Sequence, residues 1–275
     1  MINLENLERE YFYFDKPVKY KINKTTNLFI HPIALQDSEI FLSSIDIFNV
    51  DKNSSSSVEI IQMSYLKFLA GFLLVDNPVN RQKLINLLIL CLDFRTPCFT
   101  ENEQGKFGLY DSEKNIFITE KQFDEIRKII LHQNLLHYDD TYVNPDVKKA
   151  MMEMDEMKTK SLDMPTLERK IAIISSHTGI LKKHQLEMTY RSHELLFEEV
   201  CGEVEYTTIR PIALFSGKDN EIDKWIYRKK KNKYDNYFTS ADQYSRAMGG
   251  DGSIRQMTSS ARGDMLDKQF ELFTK

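Results

Sequence analysis

"LKKHQLEMTYRSHELLFEEV" (residues 181–200) decides how this chain is read. Just upstream, "LERKIAIISSHTG" has the look of a helix started by Asp163 or Thr166, with Gly179 where a helix-ending glycine belongs. Just downstream, Thr189 is a good N-cap for "YRSHELLFEEV", a helix expected to stop at Gly202. Helix, glycine turn, basic residues and second helix is the order of a helix-turn-helix DNA reader. It is equally the order of a small helical platform that holds another protein. A base-reading helix needs Arg, Lys, Asn or Gln on its exposed N-terminal face. This one offers Arg191, followed by Glu194, Glu198 and Glu199, whose carboxylates repel phosphate. The platform is the better reading. Its helix is expected to pack Tyr190, Leu195, Leu196 and Val200 inward, with Tyr190 and Arg191 as candidate partner-binding residues.

Working outward, "EVEYTTIRPIALFS" is ambiguous between a strand over 206–209 and a helix interrupted before Pro211. Asp219 or Asn220 then caps a helix through Trp225 into "YRKKKNK". Trp225, Arg228, Lys229 and Lys230 combine charge with aromatic surface, which suits partner binding. The same mixture can hold single-stranded nucleic acid, but cations at a helix C-terminus also serve the dipole. Residues 237–275 are Ser-, Gly- and Asp-rich without a continuous apolar face, and are expected to form a flexible tail. On the other side, "NPDVKKAMMEMDEMKTK" reads as a solvated connector helix starting at Asn144 and Pro145. Met151 and Met154 lie on its Met-rich face, an adaptable type of contact surface.

In the N-terminal half, "KPVKYKI" and "NLFIHPI" flank a polar turn and predict a hairpin. Short helical spacing follows over 39–48. Ser57 is expected to cap one helix over 58–75. Asn77 and Pro78 open "NPVNRQKLINLLILCLDF" as N-cap and first helical residue. Because 84–94 is apolar almost all round, it is expected to be a buried central helix. "KFGLYDSEKNIFI" predicts a second hairpin over 106–118. Thr119, with Gln122 three residues on, then gives a capping box and a helix to about Asn134. The expected class is mainly α, a helical body with one or two small β-hairpins and a flexible C-terminal tail. The expected divisions are 1–98, 99–118, 119–236 and 237–275.

With 275 residues and 41% hydrophobic content, the chain can bury a substantial core. A formal net charge of -4 is not that of a general polyanion binder. Three cysteines (Cys91, Cys98 and Cys201) match no zinc or redox spacing, so a reduced, soluble protein is expected, with Cys91 a core residue. "MINLENLERE" lacks the apolar stretch of a signal peptide, and the apolar run over 84–92 is too short to span a bilayer.

Enzyme signatures are missing from the sequence. There is no GxxxxGK[ST], no GxGxxG after a strand, no HExxH and no GxSxG; "GGDG" at 249–252 follows no strand. His177, His184 and His193 are spaced by seven and nine, whereas two ligands on one helical face need three or four. Asp139, Asp140 and Asp146 do not follow the calcium-loop pattern. Cys201 and His193 are eight residues apart and would not meet as nucleophile and base. No catalytic residue, cofactor site or metal site is expected.

The block "FDEIRKIILHQN…NPDVKKAMMEMDEMKTK…PTLERKIAIISSHTG…LEMTYRSHELLFEEVCGEVEYTTIRPIALFSG…IDKWI", roughly 122–226, resembles tail assembly chaperones encoded in tail modules of phages of Gram-positive bacteria. The resemblance lies in the order of an "I…QN" helix, an "NP" helix, a "LE…I…TG" helix, an "MT" start, an "EY" pair and a final Trp. It implies a non-enzymatic helical protein of the bacterial host cytoplasm. Such a protein coats the tape measure protein, recruits tail tube subunits and leaves before the virion matures. No catalytic residues carry over, and the chain after Asn236 does not match the pattern. The alternatives are a tail or baseplate component retained in the particle and a DNA-binding regulator. A homo-oligomer is compatible with all three. A host defence protein that recognised this chain would need no motif in it, and none is predicted.

Overall fold

A computed structural model describes residues 3–55, 57–136, 150, 153 and 165–216. It is mainly α with two small antiparallel sheets. Residues 3–136 and 165–216 belong to one compact unit, whereas Ala150 and Glu153 belong to another. The expected connector helix is described only at Ala150 and Glu153, and the expected tail over 237–275 lies outside the described residues.

The N-terminal arm forms helix α1 (Leu4–Glu10) and a 3-10 turn whose Phe12 is buried. The first hairpin is as expected: β1 (Val18–Lys21) pairs antiparallel with β2 (Asn27–Ile30), and Asn23 organises the turn by accepting from the N–H groups of Thr25 and Thr26. The helix expected over 39–48 is two pieces, α2 (Ser38–Ser44) and α3 (Asp46–Asn49), meeting at Ile45.

The single helix expected over 58–75 is a correction. Helix α4 (Val58–Gln62) ends at Met63, α5 (Tyr65–Phe68) restarts after Ser64, and a π turn (Leu69–Leu73) continues it. The break has a physical cause. Ser64 caps α5 by accepting from the Lys67 N–H, while its own hydroxyl donates to Glu120. The Tyr65 N–H donates to Asp124 at 3.2 Å instead of continuing the ladder of α4. Ser57, the expected cap, makes no side-chain capping bond.

Helix α6 (Pro78–Leu92) starts as the sequence indicates, with the Asn77 side chain accepting from the Asn80 N–H. It buries Leu84, Leu87, Leu88, Cys91 and Leu92, but Ile85 and Ile89 are exposed, so one face, not the whole girth, enters the core. Asp93 leaves the helix in the left-handed region at φ 52, which directs Phe94 into the core.

The second sheet has three strands: β3 (Pro97–Glu101), β4 (Phe107–Asp111) and β5 (Ile116–Thr119), in that order. The expected hairpin is β4–β5. Strand β3 is additional, because "PCFTE" begins with a proline and gains strand character from pairing along β4. The buried Asp111 carboxylate accepts from the N–H groups of Thr96 and Lys114, holding both ends of the sheet's turns. The capping box is present: Gln122 and Thr119 bond reciprocally and start α7 (Glu120–Gln133).

A hydrophobic core runs from Phe12 to Leu131. Arg127 of α7 crosses it. Its Nε donates to the Phe48 carbonyl at 2.6 Å and its guanidinium lies 3.7 Å over the Tyr65 ring. Among the described residues the last three helices are α8 (Leu167–Thr178), α9 (Lys182–Glu187) and α10 (Tyr190–Phe215). Thr166 and Thr189 cap α8 and α10 as expected, and Gly179 ends α8 at φ 76.

Gly108 has less room than Gly71, Gly105 or Gly179. A Cβ there would lie 2.3 Å from Phe117 Cζ and 2.5 Å from the Ile118 carbonyl oxygen. Gly108→Ala is expected to cost about 1–3 kcal/mol in urea denaturation. Adding Phe117→Leu should recover only part of that loss, because the carbonyl is backbone and cannot rotate away.

Candidate protein-binding surface

The stretch from Leu167 to Val200 is occupied by three helices, α8, α9 and the start of α10. Between α8 and α10 the basic stretch itself forms α9, fastened by Gln185. That buried amide donates to the carbonyls of Ile171 and Ile180 and to the Ser175 hydroxyl. The start of α10 is set into the N-terminal part of the fold. The Tyr190 N–H donates to the Ile33 carbonyl at 2.7 Å and the Leu35 N–H donates to the Met188 carbonyl at 2.8 Å. The Asp15 carboxylate accepts from the hydroxyls of Thr189 and Ser192.

Arg191, expected on a partner-binding edge, is 7% exposed. It forms an ion pair with Glu8, donates to the His132 carbonyl at 3.1 Å and lies 5.5 Å over the Phe12 ring. Those partners come from α1, the following turn and α7, so this cation holds the fold together. A DNA-reading α10 would have no other Arg or Lys in its first half. Tyr190 is half-buried against the core, and its hydroxyl is pushed up by burial and by the neighbouring Glu194 charge. Met151, Met154, Trp225, Arg228, Lys229 and Lys230 lie outside the described residues.

The inward face of α10 also differs from expectation. Arg191, His193 and Val200 are buried, Tyr190, Glu194 and Phe197 are half-buried, and Leu195 is exposed. Of the inward polar groups, Arg191 and Glu194 each have a charged partner. Glu194 meets Lys170 of α8 at 2.6 Å, and Lys170 lies 5.3 Å over the Phe197 ring. His193 is 0% exposed, its ring nitrogens make no hydrogen bond among the described residues, and Nδ1 sits 3.8 Å from the Glu194 carboxylate. Burial alone would raise the Glu194 carboxyl; His193 and Lys170 more than offset this and hold it below its ordinary value.

The stretch over 203–216, which the sequence leaves open between a strand and a helix interrupted before Pro211, is helical to Phe215. The helix passes Gly202 and Pro211 without stopping. Pro211 lacks the N–H that would reach the Thr207 carbonyl, but the helix is exposed here, so water can serve that group. The Thr207 and Thr208 hydroxyls donate to the carbonyls of Glu203 and Val204 one turn earlier. Past the contact between Glu203 and His177 of α8, at 3.1 Å, nearly every side chain is exposed. Val200, Val204, Thr208, Pro211 and Phe215 follow spacings of four, four, three and four, so they form one stripe along the helix. Its inner member Val200 is buried, while Phe215 at the far end is 95% exposed. Ile212 and Leu214 border it, at 65% and 53% exposure. The spacing is in the sequence, but reading Gly202 and Pro211 as stops hides it.

Elsewhere, an open cleft of about 870 Å³ lies between the π turn and the three-stranded sheet, lined among others by Lys67, Gly71, Lys106, Phe107 and Lys121. Its Glu120 is paired with Lys67 at 3.0 Å, and the Thr119 hydroxyl is committed to the capping box. This cleft does not join a nucleophile to a base. Cys91 is fully buried and its thiol is pushed far up by burial, whereas burial and the Glu205 charge raise the exposed Cys201. Neither is an activated thiol. Among the described residues no group of three His, Cys, Asp or Glu could hold a metal ion, and no helix is long and apolar enough to cross a membrane.

No family model matches the chain, and neither curated proteins nor solved structures give a match.

Two outcomes follow from the buried ion pairs. Arg191→Ala is expected to lose about 2–3 kcal/mol in chemical denaturation, somewhat below a fully buried pair because Glu8 keeps contact with water. Glu194 has a lower pKa folded than unfolded, so the stability it contributes is complete above the ordinary value of 4.5 and is lost as pH falls through the folded value. Urea midpoints measured across the acid range should therefore fall less steeply for Glu194→Gln than for the unaltered chain.

Proposed function

We propose that this chain is a non-catalytic protein-binding factor, and within that class a phage tail assembly chaperone working in the host cytoplasm. The observation that carries the binding reading is the exposed apolar stripe on the outer half of α10. Large apolar side chains aligned on one helical face are costly to leave in water and are a standard element of helix-mediated recognition. The order of helices and motifs over 122–226 narrows the reading to tail assembly. The partners are then the tape measure and tail tube proteins. Burial of Arg191 and the anchored start of α10 weigh against DNA reading, since neither leaves a cationic helix end to enter a groove.

The test is a tagged full-length chain recovered from virus-producing cells, beside mass spectrometry of purified particles. Tape measure and tube proteins should co-purify, and the chain should be missing from particles. Phe215→Glu should cut capture about tenfold or more, the effect of forfeiting one large buried apolar contact of about 1.5–3 kcal/mol. Recovery of the chain in particles at fixed stoichiometry would replace this function with a retained tail or baseplate component.

A further inference from the structure

We propose that the outer face of the N-terminal hairpin holds single-stranded nucleic acid, with Lys19 and Lys21 on its phosphates and Phe29 under a base. This goes beyond the protein-binding reading and does not depend on it. Alternation along the strands decides which side chains face out. Val18 of β1 and Leu28 and Ile30 of β2 are buried and Tyr20 is half-buried, so these form the inner face. Lys19, Lys21, Asn27 and Phe29 are left on the other face, all exposed. The register sets Lys19 opposite Phe29 and Lys21 opposite Asn27, and Lys24 stands in the turn between the strands.

The cations of this face are free. From Lys16 to Gln36 the chain has four lysines and no Asp or Glu. Among the described residues Lys19, Lys21 and Lys24 form no ion pair. The nearby carboxylates are engaged elsewhere: Asp15 accepts from the hydroxyls of Thr189 and Ser192, and Glu125 accepts from the Tyr20 hydroxyl at 2.7 Å on the inner side. A chain with a formal net charge of -4 thus carries a local positive surface with no internal use for its charge.

The aromatic ring decides which polyanion fits. Lys19 and Lys21 are two residues apart, about 6.7 Å along a strand. That spacing suits the phosphates of an extended sugar–phosphate chain, and equally the alternate carboxylates of an extended acidic peptide. Phe29 separates the two. Its side chain is 50% exposed and makes no aromatic or cation–π contact among the described residues, whereas the exposed Phe14 already lies under Lys16 at 5.0 Å. A bare ring directly across from a free cation is a platform for an unpaired base, and successive bases stacked on aromatics beside basic residues are how single strands are held without sequence readout. An acidic peptide has no group that needs this ring. A duplex keeps its bases stacked on one another, out of reach of Phe29.

The experiment uses the full chain and fluorescein-labelled single strands of about 12 nucleotides and mixed sequence, as DNA and as RNA. The same sequence as a duplex and a Glu-rich peptide are the comparisons. Binding is read by fluorescence anisotropy, with circular dichroism as the folding control. A single strand of either sugar should bind about tenfold or more tightly than the duplex or the peptide, and the tighter of the two sugars identifies the natural ligand. Its affinity should fall with salt at a log–log slope of about -1.4 to -2.1, as expected for two or three phosphates neutralised on a single strand. Phe29→Ala should weaken single-strand binding about tenfold and leave the peptide unaffected. Lys19→Gln with Lys21→Gln should weaken it at least as much and flatten the salt slope. No binding of either single strand overturns the proposal. So does an affinity unchanged by Phe29→Ala, or a duplex or peptide bound as tightly as the single strand, because the face then answers to negative charge alone. Binding that the double lysine variant leaves intact also overturns it, since the strand is then held elsewhere on the chain. None of these outcomes bears on the capture of tail proteins through α10, so the two readings stand or fall separately.

Discussion

A short piece of extended backbone holds this unit together. Met188 and Tyr190 trade hydrogen bonds with Leu35 and Ile33, with Ala34 and Thr189 opposite each other as an isolated antiparallel bridge. Two backbone bonds contribute only about 1 kcal/mol each. Their consequence is directional, because they fix where α10 begins and which way it points. Asp15, itself left-handed at φ 54, then collects the hydroxyls of Thr189 and Ser192, and Arg191 reaches Glu8, Phe12 and the end of α7. The first turn of α10 is thereby held from several directions before any of its apolar side chains is counted.

This anchoring explains how the outer half of the helix can exist at all. A helical segment as short as that beyond Glu203 is marginal alone in water, since nucleation is unfavourable and the gain per added residue is small. Here nucleation is complete at Thr189, and α8 supports the next turns through Lys170 with Glu194 and His177 with Glu203. The exposed half needs only to propagate. Pro211 would cost about 3 kcal/mol in a helix interior. It is tolerated where the unmatched carbonyl faces water.

Much of the local structure was legible because its causes are local. Asn77 with Pro78, Thr119 with Gln122, Thr166, Thr189 and Gly179 each act within one turn, and each does what its residue type indicates. The misreadings share a different cause. The break at Met63 depends on Glu120 and Asp124, strand β3 depends on β4, and the burial of Arg191 depends on Glu8 and His132. No pattern within a short window contains those partners. A lone Arg on an otherwise acidic helix reads as surface chemistry, although it is the internal tie. Of the candidate binding surface, the start of α10 is legible in the sequence; past Gly202 the sequence allows both strand and helix, because Gly202 and Pro211 usually end helices.

The same division of labour bears on function. At its inner end α10 has spent its cation and its cap on the fold, leaving few polar groups to direct recognition. At its outer end most described side chains are exposed, Phe215 most of all. A surface of that kind can be rigid before a partner arrives, because its backbone order comes from the anchored end. Binding then need not supply the ordering entropy of a disordered segment, which commonly costs several kcal/mol. Specificity, in turn, has to come from the shape of the apolar line that the described outer half presents.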